Sequence, residues 1–577
     1  MSVILGINAR HAGASAAIII DGKPVLAIAE ERLNRIKNYA DFPTLAIQRC
    51  IKEAGISWEE IDGVAIGRDS KANRHQKIKF ALSNPKNLTN FLKIRAGRKS
   101  YDNLKSLISD KCHVDPNRLK FKQYNIEHHI AHIASSYFVS DQDSSAGLTV
   151  DGSGDFVSTM MSECYGDSIK PISKIFVPNS LGSFYTMICS FIGYDSYGDE
   201  GKVMGLAPLG SDKYHDLVKD MVHITDDGFV LNPKWFAPFG SNQGISINKD
   251  GKMEIERHYS QKMIDAFGQP RERNSEITTR DMDLAYSLQH RFEIVYLELI
   301  NKLHKKVSLD HLSLAGGCAL NSVANGMAFD KTPFKSMTIQ PAAGDDGLAL
   351  GAALYVSRSI LGDGDRWVME NSYLGTEYSE EEMEKALLAR GVKYEKLNRG
   401  DLVKRTAKDI ASAKVIGWFQ GRMEWGPRAL GNRSILAHPG HPDMKDILNA
   451  RIKHRESFRP FAPSVLAEKQ SKLFERSESS PHMLHVYKIK KEWRERLCAV
   501  NHLDNTGRLQ SVSKIENPLY HNLISEFEIL TGIPVILNTS FNENEPIVEH
   551  PSQAIDCYLR TKMDTLVLGP FFCTKHQ

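Results

Sequence analysis

The sequence lacks the features of secreted, membrane-spanning and thiolate metal proteins. No two of its eight cysteines are spaced as CxxC, and they are scattered along 577 residues, at positions 50, 112, 164, 189, 318, 498, 557 and 573. This spread argues against a disulfide framework and a thiolate zinc site, and it favours a reducing compartment. No apolar run approaches the length needed to cross a bilayer. The N-terminus has no basic n-region, and Arg10 and His11 interrupt its apolar stretch, so we expect no signal peptide and a cytoplasmic protein without membrane contact.

The chain also lacks a strong charge of one sign. Its formal net charge is +3, and it has no long basic block. An extended nucleic-acid surface is therefore not indicated, and we expect no nucleic-acid partner. The apolar and charged fractions, 41% and 25%, are those of ordinary globular proteins. A chain of this length exceeds what one hydrophobic core supports, so two or more domains are expected.

The first forty residues predict a β-hairpin followed by a helix. Two β-rich runs, residues 14–20 and 24–30, flank Asp21 and Gly22, and residues 3–8 form a further strand. Asp-Gly between such runs is a strong hairpin pattern. A similar pattern recurs at residues 147–177, where a strand is expected to enter a glycine-rich turn at 151–154 and then to return twice. A strand, a glycine turn and a returning strand that appear twice predict a duplicated ATPase-like core around a nucleotide cleft.

Two histidines suggest a metal site. His128 and His132 are four residues apart, so on a helix they lie on one face and can bind one ion. Asp151 follows nineteen residues after His132, within the Asp-Gly-Ser-Gly segment, and can supply a carboxylate oxygen. The alternative is a packed or capped helix face, which is the commoner origin of an isolated HxxxH pair.

Three further glycine-bearing segments follow in order, namely residues 200–207, 315–321 and 341–347. The last of them opens an alanine-rich helix that is expected to run to Tyr355. Glycines at strand ends let the backbone approach a ligand, and a helix N-terminus behind them favours negative charge. Together with the glycine turn, these segments provide the candidate nucleotide-binding residues Gly152, Gly154, Lys202, Gly316, Gly317, Asn321 and Asp346.

A change in composition divides the chain. Residues 359–378 are rich in turn-forming residues and look like a linker between a large domain, 1–358, and a smaller one, 379–577. The smaller domain is expected to begin with a helix whose N-cap Ser379 and Glu382 form a capping box. Residues 415–419 then read as a buried strand.

Arginines follow this strand in several loop segments. Their planar forks match phosphate oxygens and keep their charge, so a cluster of them can bind a phosphorylated anion. Arg428 and Arg459 stand beside prolines and between apolar residues, which favours rigid, enclosed positions. Arg451 and Arg455 are compatible either with this site or with an exposed helix face. Most loop arginines are solvated or paired with surface carboxylates, and that alternative stays open for each of them.

The order of these motifs resembles one family over nearly the whole chain. The motifs are HAGASAA, AEERLNRIK, EHHIAH, VDGSGD, EGKVMGLA, GGCALN, PAAGDDGLALGAA, GRMEWGPRALGNRSI, FRPFAPS, GRLQ and LNTSFN. They resemble the O-carbamoyltransferases of antibiotic and nodulation-factor biosynthesis, of the NodU/CmcH type. The resemblance implies an α/β protein with a duplicated actin-like ATPase domain, of the ASKHA class and similar to threonylcarbamoyl transferases. It also implies a smaller YrdC-like α/β domain that makes carbamoyl-adenylate.

The resemblance also assigns roles to residues. Arg428, Arg459, Arg508, Asn538 and Ser540 match the contacts to carbamoyl phosphate and ATP. His128, His132 and Asp345 match the ligands of an iron-type divalent metal, with Asp151 beside them, whereas Lys37, Gly316, Gly317 and Asn321 fall where the adenylate is held. Histidine with carboxylate suits iron, manganese or zinc better than magnesium and leaves the identity of the metal open among these three. The resemblance favours Fe²⁺ at the site, and Mg²⁺ can accompany ATP.

His11 matches a histidine that resembles a general base for the acceptor hydroxyl, a role that suits an imidazole at neutral pH. The chain departs from the family here. Many relatives read His-Asp-Ala-Ser-Ala, whereas this chain has one extra residue after His11 and no aspartate, and Asn38 replaces the usual histidine after Lys37.

The resemblance implies two reactions. Carbamoyl phosphate and ATP give carbamoyl-adenylate, and the carbamoyl group then passes to a hydroxyl of a small-molecule natural product. A small-molecule kinase on the same core, an actin-fold binding module and a threonylcarbamoyl-type tRNA modifier are the alternatives. The acceptor and the oligomeric state stay open: sugar, polyketide, peptide and guanidinium alcohols all fit, residues 236–260 are expected to shape the acceptor pocket, and a homodimer is compatible with the sequence.

Overall fold

The computed structural model describes residues 2–83, 103–237, 245–255, 257–363, 365–456 and 458–575. The chain forms two compact units, Met1–Met369 and Glu370–Gln577. Their boundary falls within the segment 359–378 that the sequence marks as a linker. Part of residues 236–260, namely 238–244 and 256, lies outside the described residues.

The first unit begins with a five-stranded sheet in the order β3-β2-β1-β4-β5. Strand β1 pairs antiparallel with β2, and β2 with β3, whereas β4 and β5 run parallel to β1. Asp21 and Gly22 adopt positive φ of 48° and 78° between β2 and β3, so the predicted hairpin is confirmed. The strands are β1 (Val3–Asn8), β2 (Ser15–Ile20), β3 (Lys23–Ala29), β4 (Gly63–Ile66) and β5 (Lys122–Asn125).

A second sheet repeats this topology. Its order is β14-β13-β6-β7-β8, with β6, β7 and β8 antiparallel and β13 and β14 parallel to β6. Each sheet therefore has a three-stranded meander whose first strand is extended by two parallel strands, and the predicted duplication is confirmed. The strands are β6 (Ser144–Gly154), β7 (Val157–Tyr165), β8 (Ser168–Phe176), β13 (His311–Ala315) and β14 (Ser336–Thr338).

One boundary in this sheet was predicted wrongly. Residues 151–154 do not form a turn but continue β6, with an irregular register between Val150 and Gly154. The chain reverses one step later, at Asp155 and Phe156, where φ is 47° and 78°. The reason is that Gly154 still pairs with Val157. The glycines in the sequence did not show at which residue the pairing of β6 with β7 ends.

Helices cover both sheets. The apolar face of the first sheet packs on Ile47 and Leu104, which α2 and α4 contribute. The predicted alanine-rich helix, α12, is buried along its length, and it packs on α5 and β1. The helices of this unit are α1 (Glu30–Asn34), α2 (Thr44–Ala54), α3 (Arg74–Ser83), α4 (Leu104–Cys112), α5 (His128–Tyr137), α6 (Leu181–Phe191), α7 (Glu200–Leu206), α8 (His215–Lys219), α9 (Gln261–Phe267), α10 (Thr279–Val307), α11 (Ser322–Lys331) and α12 (Leu348–Tyr355). Two small hairpins complete it, β9 (Val222–Thr225) with β10 (Gly228–Leu231), and β11 (Ile245–Ile247) with β12 (Met253–Ile255).

The second unit is an α/β structure built on an eight-stranded sheet in the order β15-β24-β23-β16-β17-β22-β18-β21. Its strands are β15 (Glu395–Lys396), β16 (Ile416–Phe419), β17 (Arg433–Ala437), β18 (Ala462–Leu466), β21 (Gln510–Val512), β22 (Val535–Ser540), β23 (Thr565–Leu568) and β24 (Phe571–Thr574), and β19 (Val486–Lys488) pairs separately with β20 (Thr506–Arg508). The likeness of this unit to YrdC-type synthases stays a prediction.

Helices flank the eight-stranded sheet. The predicted capping box is confirmed: Glu382 donates its backbone N–H to Ser379 Oγ, and the Glu382 carboxylate accepts the N–H of Ser379. The helices are α13 (Glu380–Ala389), α14 (Arg399–Ala411), α15 (Met444–Leu448), α16 (Gln470–Leu473), α17 (Pro518–Thr531) and α18 (Pro551–Arg560). No helix in the described part of the chain is both long enough and apolar enough to cross a bilayer.

Candidate active site

Helix α5 presents two fully buried imidazoles to one point. Glu127 caps the helix, and its carboxylate accepts the backbone N–H of Ile130 at 2.9 Å. The cap fixes the register, so His128 and His132 fall on one face, and their Nε2 atoms lie 3.1 Å apart. His129, between them, points away and contacts Thr149 Oγ1 at 2.6 Å. The i, i+4 spacing predicted this arrangement.

Two carboxylates from separate segments face these imidazoles. Asp151, on β6, places Oδ2 3.3 Å from His128 Nε2. Asp345, just before α12, places Oδ1 3.3 Å from His132 Nε2 and 3.6 Å from His128 Nε2. The four side chains each offer a ligand atom, and these atoms all lie within 4.8 Å of one another.

The donor set fits a metal ion. Ligand atoms about 2.1 Å from a tetrahedral ion are separated by about 3.4 Å, which is close to the spacing of these nitrogens and oxygens. Asp345 Oδ1 is buried and has no hydrogen-bond partner in the described structure, so a cation would satisfy it. Two carboxyl groups buried side by side repel each other when both are ionised, and a divalent ion would offset that repulsion.

The burial and close approach of these ionisable side chains also shift their pKa values. Burial and the charge of Asp151 raise the pKa of Asp345. Burial opposes ionisation of Asp151 as well, but its hydrogen bond to His128 and the charges of the three neighbouring histidines together outweigh burial and hold the pKa of Asp151 below its usual range. Burial lowers the pKa of His132, which favours the neutral imidazole that a metal requires.

Two glycines allow the site to close. A Cβ on Gly154 would lie 2.0 Å from the ring of His128, so only glycine lets β6 pass beneath that imidazole. Gly316 has φ of +91°, and a Cβ there would lie 2.4 Å from the carbonyl oxygen of Val150. The next residue, Gly317, donates its N–H to Asp151 Oδ1 at 2.8 Å.

Two further residues predicted to bind the nucleotide are Asn321 and Asp346. Asn321 accepts the N–H of Ala324 as the N-cap of α11 and exchanges hydrogen bonds with Gln289. Burial and the charges of Glu31 and Asp345 raise the pKa of Asp346 to about 7. Asp346 directly follows the candidate metal ligand Asp345 in the chain, and the charge of Asp345 affects it.

Two lysines and one glycine are placed differently. Lys202, on α7, forms an ion pair with Asp199 at 2.8 Å. Lys37 is exposed, in the loop that follows α1. Gly152 has open space around the position of a Cβ, in contrast to Gly154. Their nucleotide-binding roles stay predictions.

His11 lies beside the candidate metal ligands. Its Nδ1 is 3.7 Å from Asp345 Oδ2, and its ring centroid is 4.9 Å from that of His128. Asn8 holds the surrounding loop, because its Nδ2 donates to the carbonyls of Ala12 and Gly13. The extra residue of this loop is therefore accommodated with His11 next to the centre.

A second, cationic cluster lies in the second unit. Burial and the charges of neighbouring arginines, Arg428 among them, lower the pKa of Arg508 well below its usual range. Burial and the charge of Arg459 likewise lower the pKa of Arg428 to about 10 and that of Arg455 to about 9. The Nε atoms of Arg428, Arg455 and Arg508 are buried without a partner in the described structure. Like charges held together in this way make a candidate anion site.

The cluster includes two residues that the sequence did not select. Arg455 was left undecided between this site and an exposed helix face, and Lys453 was not considered as a ligand. A π-helical segment, Asn449–Lys453, follows α15 and ends at Lys453. His454 then adopts φ of 44°, so Arg455 lies outside this helix and stacks on Phe461 at 4.2 Å. Arg451 pairs instead with Asp564 at 3.5 Å. The run of basic residues around 451–459 indicated a cationic region, but it did not show that Arg455 joins the cluster whereas Arg451 pairs with Asp564.

Lys453 organises the end of β22. Its buried Nζ donates to the carbonyls of Ser540 and Asn542, and to Asn542 Oδ1, at 2.7–2.8 Å. Ser540 Oγ donates to the same Oδ1 at 2.7 Å. Asn538 is more deeply buried: its Nδ2 donates to Ala429, Ser464 and Gln510, and its Oδ1 has no partner in the described part. Ser540 therefore has a fixed position, and the amide nitrogen of Asn538 is occupied within the protein.

Arg433 serves the fold and not the cluster. It is fully buried, lies 3.6 Å over the ring of Phe419, and donates to the carbonyls of Gln420, Gly421 and Asn432. Both terminal nitrogens of its guanidinium group are therefore satisfied by the chain, whereas its Nε has no hydrogen-bond partner among the described residues.

Comparison with known proteins gives a consistent result. Residues 3–354 match the family description Carbamoyltransferase N-terminus, and residues 407–575 match Carbamoyltransferase C-terminus. Nodulation protein NolNO of Sinorhizobium fredii is 35% identical, over 98% of this chain and 79% of its own. Uncharacterized protein sll1178 of Synechocystis sp. is 39% identical, over 100% and 97%. Nodulation protein U of Rhizobium tropici is 28% identical, over 93% and 90%.

Solved structures give a weaker likeness. The full-length HypF structure in its phosphate- and nucleotide-bound form is 12% identical, with a TM-score of 0.30, and the match covers 63% of this chain and 56% of that one. The ROK hexokinase of Thermus thermophilus is 12% identical, with a TM-score of 0.28, over 61% and 98%. These scores are too low to support a comparison of mechanism.

Proposed function

This chain belongs to the carbamoyltransferase family, and on that basis we propose that it is an ATP-dependent O-carbamoyltransferase of natural-product biosynthesis. In the proposed first reaction, water cleaves carbamoyl phosphate to carbamate and inorganic phosphate, and a carbamate oxygen then attacks the α-phosphate of ATP and releases pyrophosphate, which gives carbamoyl-adenylate. The proposed second reaction passes the carbamoyl group to a hydroxyl of a small molecule and releases AMP. The observation that carries this proposal is the presence of two chemically opposite centres, one cationic and one of histidines and carboxylates, in two separate units.

The cationic cluster suits the first reaction. Carbamoyl phosphate and ATP are polyanions, and Arg428, Arg455 and Arg508 each have a buried Nε without a partner among the described residues. Arg459 adds a further positive charge to this cluster. Ser540 Oγ, fixed by Lys453 and Asn542, can complete the hydrogen bonding. Neutralising the phosphates of both substrates lets them approach each other without mutual repulsion. The unit would then act as a YrdC-like adenylate synthase.

The histidine and carboxylate centre suits the second reaction. His128, His132, Asp151 and Asp345 would hold a divalent metal, for which Fe²⁺ fits the nitrogen and oxygen donors best. When bound, this metal would act as a Lewis acid toward phosphate or carbonyl oxygens. Gly316 and Gly317 bring backbone close to the centre, which suits an adenylate phosphate.

His11 is the proposed base. Its imidazole is near the centre and contacts Asp345, so it can take the proton of an acceptor hydroxyl as that oxygen attacks the carbamoyl carbon. Asp345 faces His11 Nδ1 and would stabilise the imidazolium that forms. Closure of the site against water would protect a labile mixed anhydride from hydrolysis.

The acceptor is proposed to be a natural-product alcohol, because several relatives carry the name nodulation protein. A cytoplasmic location follows the cysteine pattern and is proposed on that ground. A kinase on the same core would leave the arginine cluster without a role. A tRNA modifier would need a basic surface, which a net charge of +3 does not provide.

A nucleotide assay tests the proposal. Purified protein receives ATP, Mg²⁺ and carbamoyl phosphate without acceptor, and mass spectrometry follows carbamoyl-adenylate, AMP and pyrophosphate. We expect these products from the unmodified protein and from Arg451→Ala, the matched control that removes an arginine paired with Asp564. Arg428→Ala should lose them. ADP as the product, or turnover independent of carbamoyl phosphate, would contradict the mechanism and favour the kinase.

A further inference from the structure

His502 lies close enough to Arg508 of the cationic cluster for the two side chains to interact electrostatically. It precedes β20, whose residues Thr506 and Arg508 are two apart and therefore point to one face of the strand. The backbone N–H of His502 donates to the carbonyl of Thr506 at 2.8 Å. Its Nδ1 lies 3.1 Å from Thr506 Oγ1. The imidazole is thus fixed beside Arg508.

A hydrogen-bond relay assigns the tautomer of this imidazole. Thr506 Oγ1 lies 2.6 Å from Asp504 Oδ1, a short contact in which the hydroxyl donates its one proton to the carboxylate. The hydroxyl oxygen can then only accept from His502, so Nδ1 carries the ring proton. Nε2 is left with an unprotonated lone pair.

That lone pair accepts no hydrogen bond within the described part of the protein. His502 Nε2 is buried, and no hydrogen-bond partner for it exists in the part of the chain that the structure describes. Burial and the charges of Arg508 and Lys445 hold the pKa of His502 below its usual range, although Asp504 opposes this effect. A buried acceptor of this kind favours a ligand that brings an N–H or O–H donor.

The cluster around Arg508 otherwise offers donors. Arginine and lysine nitrogens recognise phosphate oxygens, but they cannot distinguish one acyl phosphate from another. Carbamoyl phosphate differs from acetyl phosphate in having an amino group where the latter has a methyl group. An acceptor placed beside the phosphate site would read that difference.

We propose that His502 Nε2 accepts a hydrogen bond from the amino group of bound carbamoyl phosphate and so selects this substrate over other acyl phosphates. The proposal rests on the proposed function of the second unit. It makes His502 a specificity-determining residue that contacts the substrate. The Thr506–Asp504 relay is its positioning device.

Two variants of His502 test the roles of Nδ1 and Nε2 separately. His502→Asn supplies an amide nitrogen near the position of Nδ1 and can keep the contact with Thr506, but it has no acceptor at Nε2. His502→Gln places Oε1 near Nε2 and restores an acceptor. The assay is AMP formation from ATP and carbamoyl phosphate without alcohol, with inorganic phosphate and acetyl phosphate as competing inhibitors.

We expect His502→Asn to raise KM for carbamoyl phosphate roughly tenfold, as loss of one buried hydrogen bond predicts. The inhibition constants of inorganic phosphate and acetyl phosphate should stay within about twofold of their original values, because their phosphate groups lie among the arginines and neither ligand has a donor at the position of the carbamoyl amino group. His502→Gln should recover part of the loss. Equal weakening of all three ligands would show that His502 only supports Arg508, and an unchanged KM would show that Nε2 does not contact the substrate. Both results would overturn the proposal.

A binding experiment keeps this test independent of catalysis. Calorimetry on the whole protein compares carbamoyl phosphate, acetyl phosphate and inorganic phosphate. Tighter binding of carbamoyl phosphate than of acetyl phosphate, abolished in His502→Asn, supports the proposal even where no AMP is formed and the proposed function fails. Equal binding of the two acyl phosphates to the unmodified protein overturns it.

Discussion

Gly154 lies directly beneath the imidazole of His128, so close that a Cβ on the glycine would be 2.0 Å from the ring. The first prediction follows from this contact. Gly154→Ala should displace His128 and lower metal affinity at least tenfold, since ligand orientation controls affinity. Gly152→Ala is the matched control, because no atom lies within 4 Å of its added Cβ. Metal content after dialysis against Fe²⁺ measures both variants, and equal loss in both would contradict the prediction.

The second prediction is that the two reactions can be separated by mutation. His132→Ala removes one metal ligand from the first unit and should abolish transfer to an alcohol while leaving acceptor-independent AMP and pyrophosphate formation in place. Arg428→Ala should lose both, because transfer depends on the adenylate. Product analysis with and without an acceptor measures adenylate formation and carbamoyl transfer separately. Retention of transfer by His132→Ala would show that the centre is not needed for that step.

The third prediction concerns the stability of two arginines of the second unit. Arg428→Met should raise stability by about 1 kcal/mol, because it removes a desolvated charge from a cluster of like charges. Arg433→Met should cost about 3 kcal/mol or more, because it leaves several buried carbonyls without a donor. Urea unfolding measures both variants.

Added inorganic phosphate provides the control for that comparison. Phosphate should stabilise the unmodified protein by about 3 kcal/mol at a hundredfold excess over Kd, and it should stabilise Arg428→Met much less. A phosphate effect that is the same in both proteins would place the anion elsewhere.

The fourth prediction is a pH dependence that arises at Glu30. Its buried carboxylate accepts the backbone N–H groups of Leu45 and Ala46, yet burial dominates and raises its pKa to about 7. A raised pKa means that the protonated form stabilises the fold. This contribution, about 3 kcal/mol at most, is complete below about pH 4.5 and is lost as the pH rises through about 7.

Glu30→Gln should remove this pH dependence. Urea midpoints from pH 5 to pH 8 should fall less steeply for the variant than for the unmodified protein. Glu59→Gln is the control, because its ion pair with Arg118 lowers the pKa of Glu59 to about 2, outside this range. Parallel curves for the unmodified protein and Glu30→Gln would refute the assignment.

The sequence predicted those parts of the structure that depend on local patterns. The hairpin around Asp21 and Gly22, the capping box at Ser379 and the shared face of His128 and His132 each require only neighbours within a few residues. Their periodicity and turn chemistry are visible in the letters. The repeated strand pattern likewise predicted the duplication, because two sheets of one topology need two copies of one pattern.

Contacts between distant segments were harder to predict. Arg451 and Arg455 look alike in sequence, but His454 adopts a positive φ between them. Arg451 pairs with Asp564, whereas Arg455 stacks on Phe461. The acceptor role of His502 depends on a proton shared between Thr506 and Asp504, which no spacing rule reveals. Asp345 joined the metal ligands through family resemblance, because it is more than two hundred residues from His132.

Asp151 joins the proposed metal site and the proposed adenylate site through one carboxylate. Its Oδ1 accepts the N–H of Gly317, and its Oδ2 faces His128. A nucleotide that shifts the Gly316–Gly317 backbone therefore changes the position or charge of a metal ligand. Thermodynamic reciprocity requires the metal to change nucleotide affinity by the same factor. Metal affinity measured without nucleotide should accordingly differ from the value that applies during turnover.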